Sequence, residues 1–314
     1  MFPQGALLVF LASLAGAAQA PSTCPPEARL PSAAQVEEGT RTARDRGFLW
    51  RVGKDGRTSY LYGTVHVGKI EWMFPGPEVL RAVRSSEVVA LELDILDADL
   101  VRRLQEGTAR KPDHALPEAL NLRLKAQLKA ACLPEELLSQ AAPEMVATTL
   151  TMMAARRDGL DPAYAVDGVY AGMARELKKP VSSLETPELQ LKLLLGGTAA
   201  ESREAVESAL EELESGKASP MLKHMAQVWA DGRLGELENY ETWCECLKTE
   251  TDRVMMRRML DERNPGLAGG IDAIHASGRS VFAAVGSLHM IGKLGLPALL
   301  AKRGYKVERV DFNP

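Results

Sequence analysis

The sequence predicts an α/β fold, with a mixed, partly parallel central sheet flanked by helices and a large helical insertion or cap. Two observations lead to this class. Short runs rich in β-branched and aromatic residues lie near both ends of the chain, and helical patterns separate them. The middle of the chain consists mostly of helical patterns, interrupted by one short apolar run.

The first predicted element is a β-hairpin. In "FLWRVGKDGRTSYLYGTVHVG" (residues 48–68), two β-rich runs flank a glycine-containing segment that suits a tight turn. A helix with a proline near its start, "PGPEVLRAVRSSE" (residues 75–87), leads into "VVALELD" (residues 88–94). Val88 to Leu91 are all apolar, as expected for a strand that is covered on both faces.

The long middle region is predicted to be helical over residues 95–179 and again over residues 187–278. Its segments begin with a proline or a capping residue and repeat apolar positions at helical spacing. Between the two stretches, "PVSSLE" (residues 180–185) indicates a short strand. It runs into a helix for which Thr186 is a suitable N-cap and Pro187 a suitable first residue.

The chain ends with a predicted strand, helix and strand: "SVFAAVGS" (residues 280–287), "LPALLAKRG" (residues 296–304) and "YKVERV" (residues 305–310). We therefore expect one domain over residues 47–314, in which the two helical stretches form the cap. Residues 21–46 are predicted to be a polar linker.

The N-terminus has the pattern of a secretory signal peptide over residues 1–20. An apolar run (residues 6–18), too short to span a bilayer, is followed by "AQA" and a proline-rich stretch. A buried N-terminal helix or a short anchor is the alternative, because no Lys or Arg precedes the apolar run and Pro21 would follow the cleavage site. We expect an exported protein, periplasmic or secreted, whose mature form has no transmembrane segment.

Charge and cysteine content exclude several other classes. A net charge of −4, with Lys and Arg scattered along the chain, argues against nucleic-acid binding. The four cysteines include no CxxC pair, so we do not expect a structural zinc site. We expect the cysteines to form disulfides. Cys244 and Cys246 are separated by one residue, so we expect each to bond elsewhere rather than to the other.

Polar residues of catalytic type follow the apolar part of each internal strand. The stretch "GTVH" ends at His66 and a similar one, "GSLH", at His289; Glu92 and Asp94 follow the third strand, and Glu185 the fourth. Ligands of open α/β sheets bind beyond the carboxyl ends of parallel strands. If these strands are neighbours, two imidazoles and two or three carboxylates converge. Glu92 and Asp94 are expected to share a face.

The glycines three residues before each histidine, Gly63 and Gly286, would let the backbone turn sharply at this edge. Two neutral imidazoles and a carboxylate are a common ligand set for a divalent metal ion, which activates water for amide or ester hydrolysis. A single histidine after a strand is usually only a hydrogen-bonding residue, but here the local context is duplicated. His114, His224 and His275 lack that context and are interpreted as ordinary polar residues.

An ordered set of segments resembles the TraB/GumN family, whose animal relatives include the TIKI proteases. The set runs, in chain order, through "FLWRV", "YLYGTVHVG", "VVALELD", "DGVYAGMARELKKPVSSLETPELQ", "ERN", "VFAAVGSLHMIGKLGL" and "GYKVERV". The resemblance covers nearly the whole chain after the predicted signal. It implies a metal-dependent hydrolase that acts on peptide or protein substrates.

The resemblance also implies roles for individual residues. His66 and His289 would bind the metal or act in catalysis, and Glu92 would be a third ligand or the general base. Other positions that match the family or line the predicted site are the catalytic candidates Glu185 and Arg263 and the substrate-binding candidates Gly63, Gly286, Asn264 and Asp167. An arginine at this place would stabilise an oxyanion, and Asn264 has the alternative of capping the helix that begins at Pro265.

Three functional hypotheses remain open from the sequence. The first is an exported metal-dependent peptidase, with zinc, manganese and cobalt all suitable as the ion. The second is a binding protein that sequesters a peptide without cutting it, as plasmid-encoded relatives of this family suggest. The third is a metal-free hydrolase that uses a histidine as base, similar to the erythromycin-esterase type of site. The sequence leaves the oligomeric state open.

Overall fold

A computed structural model describes residues 24–109, 115–195, 197–244, 246–247 and 249–312. The predicted signal peptide (residues 1–20) and His114 lie outside these ranges. The strands are β1 (Phe48–Lys54), β2 (Arg57–Thr64), β3 (Val88–Leu91), β4 (Val181–Ser183), β5 (Val281–Gly286) and β6 (Lys306–Val310).

The helices begin and end as follows: α1 (Ala33–Arg41), α2 (Pro77–Ser85), α3 (Ala98–Gly107), α4 (Glu118–Ala130), α5 (Leu137–Gln140), α6 (Pro143–Met152), α7 (Val166–Glu176), α8 (Pro187–Leu194), α9 (Ala199–Glu214), α10 (Ala218–Ala230), α11 (Leu234–Glu238), α12 (Glu250–Met259), α13 (Asn264–Ala276) and α14 (Leu296–Lys302). Short 3₁₀ turns are also present, including Ile70–Met73, Pro162–Tyr164, Tyr240–Thr242 and Ser287–Met290. None of the helices in the described ranges is both long and apolar enough to cross a membrane.

The six strands form one mixed sheet in the order β4-β3-β5-β2-β1-β6. Strands β4, β3, β5 and β2 are parallel, whereas β1 is antiparallel to both β2 and β6. Helices flank this sheet, so the predicted α/β class with a partly parallel sheet is confirmed. The predicted hairpin is present as well, and its turn at Asp55 and Gly56 has positive φ at both residues (51° and 72°), the combination that a two-residue type I′ turn requires.

Two separate hydrophobic clusters form the core. One surrounds the sheet, where every residue of β3 and β5 is buried. The other lies among α4, α5, α6 and α9 and includes Leu124, Leu128, Val206 and Leu210. The helical middle of the chain therefore packs part of its apolar surface on itself rather than on the sheet. The division into a domain and a cap remains a prediction.

Residues 24–46, which we call the N-terminal strap, connect these two regions. The strap contains α1, whose Ser32 and Gln35 form a capping box, so part of the predicted linker is helical. At one end Cys24 is bonded to Cys132, next to α4. At the other end, the Asp45 carboxylate accepts hydrogen bonds from the first backbone N–H groups of α2. The strap is thus fixed both to the helical region and to the sheet region.

The prediction for Cys244 and Cys246 is wrong. The two cysteines are bonded to each other, with their Cα atoms 5.0 Å apart, which is within the usual range for disulfides. A bend after the 3₁₀ turn Tyr240–Thr242 brings the two Cα atoms this close, so one intervening residue is sufficient. The two disulfides account for all four cysteines of the chain.

Candidate functional site

The carboxyl ends of the four parallel strands meet at one edge of the sheet. In the register of the sheet, Thr64 at the end of β2 lies beside Gly286 at the end of β5. Leu91 at the end of β3 lies beside both Ala284 and Ser183, so β3 and β4 end at nearly the same level. The condition on which the sequence prediction depended, that these strands are neighbours, is met.

Gly286 marks the centre of the site. A Cβ atom placed on this glycine would lie 3.2 Å from Glu92 Oε1, 3.4 Å from His66 Nε2 and 3.6 Å from His289 Cδ2. The two predicted imidazoles and the predicted carboxylate therefore surround one point. The 3.2 Å contact is tighter than ordinary van der Waals contact, so a side chain at this position would force Glu92 to shift.

His66 is held by a carboxylate from α7. Its Nδ1 lies 2.9 Å from Asp167 Oδ2, and the Thr64 hydroxyl donates to the other oxygen of Asp167 at 2.5 Å. A carboxylate can only accept this bond, so Nδ1 carries a proton whether the ring is charged or neutral, and Nε2 is directed toward the centre. The negative charge of Asp167 raises the pKa of His66 to about 9.

His289 lies in the 3₁₀ turn that follows β5 and is 3% exposed. Its Nδ1 is 2.6 Å from the side-chain oxygen of Asn264, which is itself buried. Asn264 therefore holds the histidine and does not cap α13 with its side chain. Burial, with only a neutral amide as the direct partner, lowers the pKa of His289 to about 4.

Glu92 is held through both carboxylate oxygens. Oε1 accepts from the backbone N–H of Gly286 at 2.7 Å, and Oε2 accepts from Arg263 Nη2 at 2.5 Å. Burial alone would raise the pKa of Glu92. The neighbouring histidines, Arg263 and the Gly286 N–H outweigh that effect and lower the pKa to about 2.

Arg263 and Glu185 complete the polar cluster. Arg263 Nε and Nη2 donate to the two carboxylate oxygens of Glu185 at 2.8 and 2.5 Å, a bidentate pair. Gln190 of α8 donates to the same carboxylate at 3.2 Å. Both members of the pair are buried, at 9% and 8% exposure.

Asp94 does not join the cluster. The strand ends at Leu91, so Glu92 and Asp94 are not on an extended strand and do not follow the predicted alternation. Asp94 instead pairs with Arg175 of α7 at 2.8 Å. The histidines interpreted as ordinary polar residues also lie in other contacts: His224 with Glu236, and His275 buried against Ser59.

The positions predicted to bind substrate make structural contacts, and their role in substrate binding remains a prediction. Asp167 and Asn264 each hold a histidine, and a Cβ on Gly63 would lie 2.9 Å from the hydroxyl of Ser287. Two hydroxyl groups that the sequence reasoning did not assign also belong here. Thr64 holds Asp167, and Ser287 donates to the backbone carbonyl of Thr64 at 2.7 Å. The available signal was that a small hydroxyl residue follows the glycine in both "GTVH" and "GSLH".

The donor set fits a divalent ion in part. Both histidines have Nδ1 bonded to an oxygen acceptor, which leaves Nε2 as the metal-facing nitrogen, as in many metal sites. Glu92, in contrast, already uses one lone pair on each oxygen for a hydrogen bond. Over the described residues, no group of three or more His, Cys, Asp or Glu side chains is arranged to hold a metal ion.

Fold and site together define an α/β protein in which two GxxH turns and a largely buried carboxylate meet at the carboxyl ends of the parallel strands of a mixed sheet. The chain belongs to the TraB/PrgY/gumN family, whose model matches residues 48–309. This range includes every strand except the last residue of β6, and the resemblance predicted from the sequence is confirmed. No curated protein and no solved structure matches the chain.

Proposed function

We propose that this protein is an exported, metal-dependent hydrolase of peptides or of related amide and ester bonds. The observation that supports the proposal is the arrangement around Gly286, where His66 Nε2 and Glu92 Oε1 lie within 3.4 Å of one point and the His289 ring lies within 3.6 Å. Hydrolysis needs a nucleophilic water and a group that moves its proton, and these side chains are of the types that serve both purposes.

His66, His289 and Glu92 are the residues that would hold the ion. When bound, a divalent metal supplies an acidified water and polarises the carbonyl of the substrate. Asp167 and Asn264 orient the two imidazoles so that each presents Nε2. Glu92, which is ionised and held by two donors, would act either as the third ligand or as the general base, through the remaining lone pair of Oε1, the oxygen nearer to Gly286.

The proposed export rests on the cysteines. All four are in disulfides, and such bonds persist mainly in oxidising compartments. The sequence pattern of residues 1–20 is that of a signal peptide. Detection of the processed chain outside the cytoplasm, with a new N-terminus near residue 21, is the expected result.

The proposal is tested by metal analysis and by peptide cleavage on the same purified sample. We expect bound divalent metal, cleavage of a mixed peptide library, and loss of cleavage on chelation. His66→Ala, His289→Ala and Glu92→Gln should each lower the rate by about 10²–10⁴-fold, the range for loss of an acid–base group. His224→Ala is the matched control, because His224 forms a comparable carboxylate pair away from the site.

A metal-free hydrolase is the second candidate, and a specific observation favours it. Arg263 already pairs with Glu92, and Asp167 holds His66 as in a histidine–carboxylate dyad. Cleavage that survives chelation but is lost in His66→Ala would support this candidate and exclude the metal-dependent one. Peptide binding without any cleavage would exclude both and leave sequestration.

A further inference from the structure

We propose that Arg263 and Glu185 form a positioning pair, which fixes the carboxylate of Glu92 and does not contact substrate. The sequence suggested a different role for Arg263, stabilisation of an oxyanion. The hydrogen-bond contacts of its guanidinium decide between the two roles.

Arg263 has almost no donor left for a substrate. A guanidinium carries five N–H donors. Nε and one N–H of Nη2 are used by Glu185, the second N–H of Nη2 by Glu92, and one N–H of Nη1 by the backbone carbonyl of Met259 at 3.0 Å. Four of the five donors are thus engaged inside the protein, and the residue is 9% exposed.

Glu185 is a rigid anchor for this arginine. Its backbone N–H donates to the carbonyl of Glu92 at 3.0 Å, which continues the pairing of β4 with β3 beyond the strands. Its carboxylate also accepts from Gln190. Because its main chain and side chain are both fixed, Glu185 sets the plane of the guanidinium, and the guanidinium sets Glu92 Oε2.

The consequence for Glu92 is a fixed orientation. Arg263 holds Oε2, and the Gly286 N–H holds Oε1. Loss of Arg263 would leave the carboxylate with one donor, and the side chain would be free to rotate away from Gly286. The pair therefore acts on the site through the Glu92–Gly286 hydrogen bond.

The pair also connects the site to the helical region. Arg263 lies between α12 and α13, and Met259, whose carbonyl it binds, is the last residue of α12. A displacement of α12 would therefore be transmitted to Glu92 through one side chain.

Amide hydrogen exchange at Gly286 tests the inference without any assay of activity. In Arg263→Lys, which keeps the charge but lacks the planar fork that pairs with Glu185 and reaches Glu92 at once, we expect exchange at Gly286 to accelerate about tenfold or more. Exchange at Ala283 and Ala284 within β5 should stay unchanged. Arg103→Lys is the matched control, because Arg103 forms the same kind of bidentate pair with Glu188 on the surface.

A second variant, Glu185→Gln, covers the case in which Arg263→Lys does not fold. It leaves Arg263 and Glu92 as a simple ion pair, and a smaller acceleration confined to Gly286 is expected. Unchanged exchange at Gly286 in the folded variants would overturn the inference. Acceleration spread over all of β5 would overturn it too, because this would indicate general destabilisation.

The catalytic consequence rests on the proposed function: if the protein is a hydrolase, both variants should lower kcat and leave KM nearly unchanged. A rise in KM with kcat retained would show that Arg263 binds substrate, and would overturn the positioning role. If the wild-type protein cleaves nothing, the proposed function fails, whereas the exchange measurement still decides whether the pair fixes Glu92.

Discussion

Gly286 lies beside all three candidate site groups, and its backbone N–H binds Glu92. Its φ of −49° is accessible to any residue, so the backbone does not require glycine. The restriction on this position comes from the three groups around its Cα, which a side chain would crowd. In Gly286→Ala the new methyl group would lie 3.2 Å from Glu92 Oε1, so Glu92 would have to shift by a few tenths of an ångström, which weakens the Gly286–Glu92 hydrogen bond.

We therefore expect Gly286→Ala to fold and to lose at least tenfold in any activity or metal affinity of the site. The control is Gly172→Ala, a buried glycine of α7 whose Cβ would meet nothing within 4 Å. This change should stabilise the protein by roughly 0.5–1 kcal/mol, because alanine favours helix. Equal behaviour of the two variants in binding and in thermal unfolding would contradict the assignment of Gly286 to the site.

The two histidines differ in the charge of their partners, and this difference is measurable. Asp167→Asn removes the negative charge that raises the pKa of His66 to about 9, so the pKa should fall toward the ordinary value of 6.5. NMR titration of the His66 ring in metal-free protein would show the change. Thr64→Val, which only loosens Asp167, should give a smaller decrease. A His66 titration unchanged in Asp167→Asn would mean that the carboxylate does not control the ring.

Among the elements, those with a local signal were predictable. The Asp55–Gly56 turn selects the hairpin, and Thr186 with Pro187 marks the start of α8, where the Thr186 side chain accepts from the Leu189 N–H. The termination of β3 had no such signal. The alternation through Glu92 and Asp94 favours a longer strand, but a distant residue, Arg175, binds Asp94 and draws it away. Contacts between side chains far apart in sequence are not encoded in local patterns.

The disulfides illustrate the same limit, since the sequence allowed several pairings. Cys24–Cys132 closes a loop of 108 residues and fixes the N-terminal strap to the helical region. Cys244–Cys246 closes the smallest loop in the chain, with a sequence separation of 2. Chain entropy then predicts very different contributions of the two bonds to stability.

Replacement of Cys24 and Cys132 by serine should lower the free energy of unfolding by about 4–5 kcal/mol, the value for a loop of roughly 100 residues. The corresponding change of Cys244 and Cys246 should cost about 1–2 kcal/mol. Denaturant unfolding of the two double variants gives the comparison. A larger loss from the Cys244 and Cys246 change would show that this bond holds the segment before α12 by more than chain entropy.

At the scale of the whole molecule, the site residues lie close together because of the order of the strands in the sheet. The sequence did not specify that order. The patterns at His66, Glu92 and His289 indicated chemistry at strand ends, but a sheet with other neighbours would have separated them. The order β3-β5-β2 brings the three ends together. Asp167 and Asn264, which bind the Nδ1 atoms of the two histidines, matched family positions. Their role became visible only from these contacts.

The charges of the site make the stability of the metal-free protein depend on pH in both directions. His66 has a raised pKa, so its contribution is complete below about 6.5 and is lost as the pH rises through about 9. His289 and Glu92 have lowered pKa values. The contribution of His289 to the free energy of unfolding is present above about pH 6.5 and is lost as the pH falls toward about 4. The contribution of Glu92 is present above about pH 4.5 and is lost as the pH falls toward about 2. The site should therefore stabilise the fold most near pH 6.5.

Urea unfolding between pH 3 and pH 10 tests this dependence, with the difference between wild type and His66→Gln isolating one group from the rest of the molecule. The difference in free energy of unfolding should be constant below about pH 6.5 and shrink through about pH 9, because only wild type has the Asp167–His66⁺ pair to lose. Its size should be less than the pKa shift alone implies, since the His66 side chain is 57% exposed and solvent screens the pair. A difference that instead grew with pH would mean that folding lowers the pKa of His66 rather than raising it. His66 would then be neutral in the folded protein.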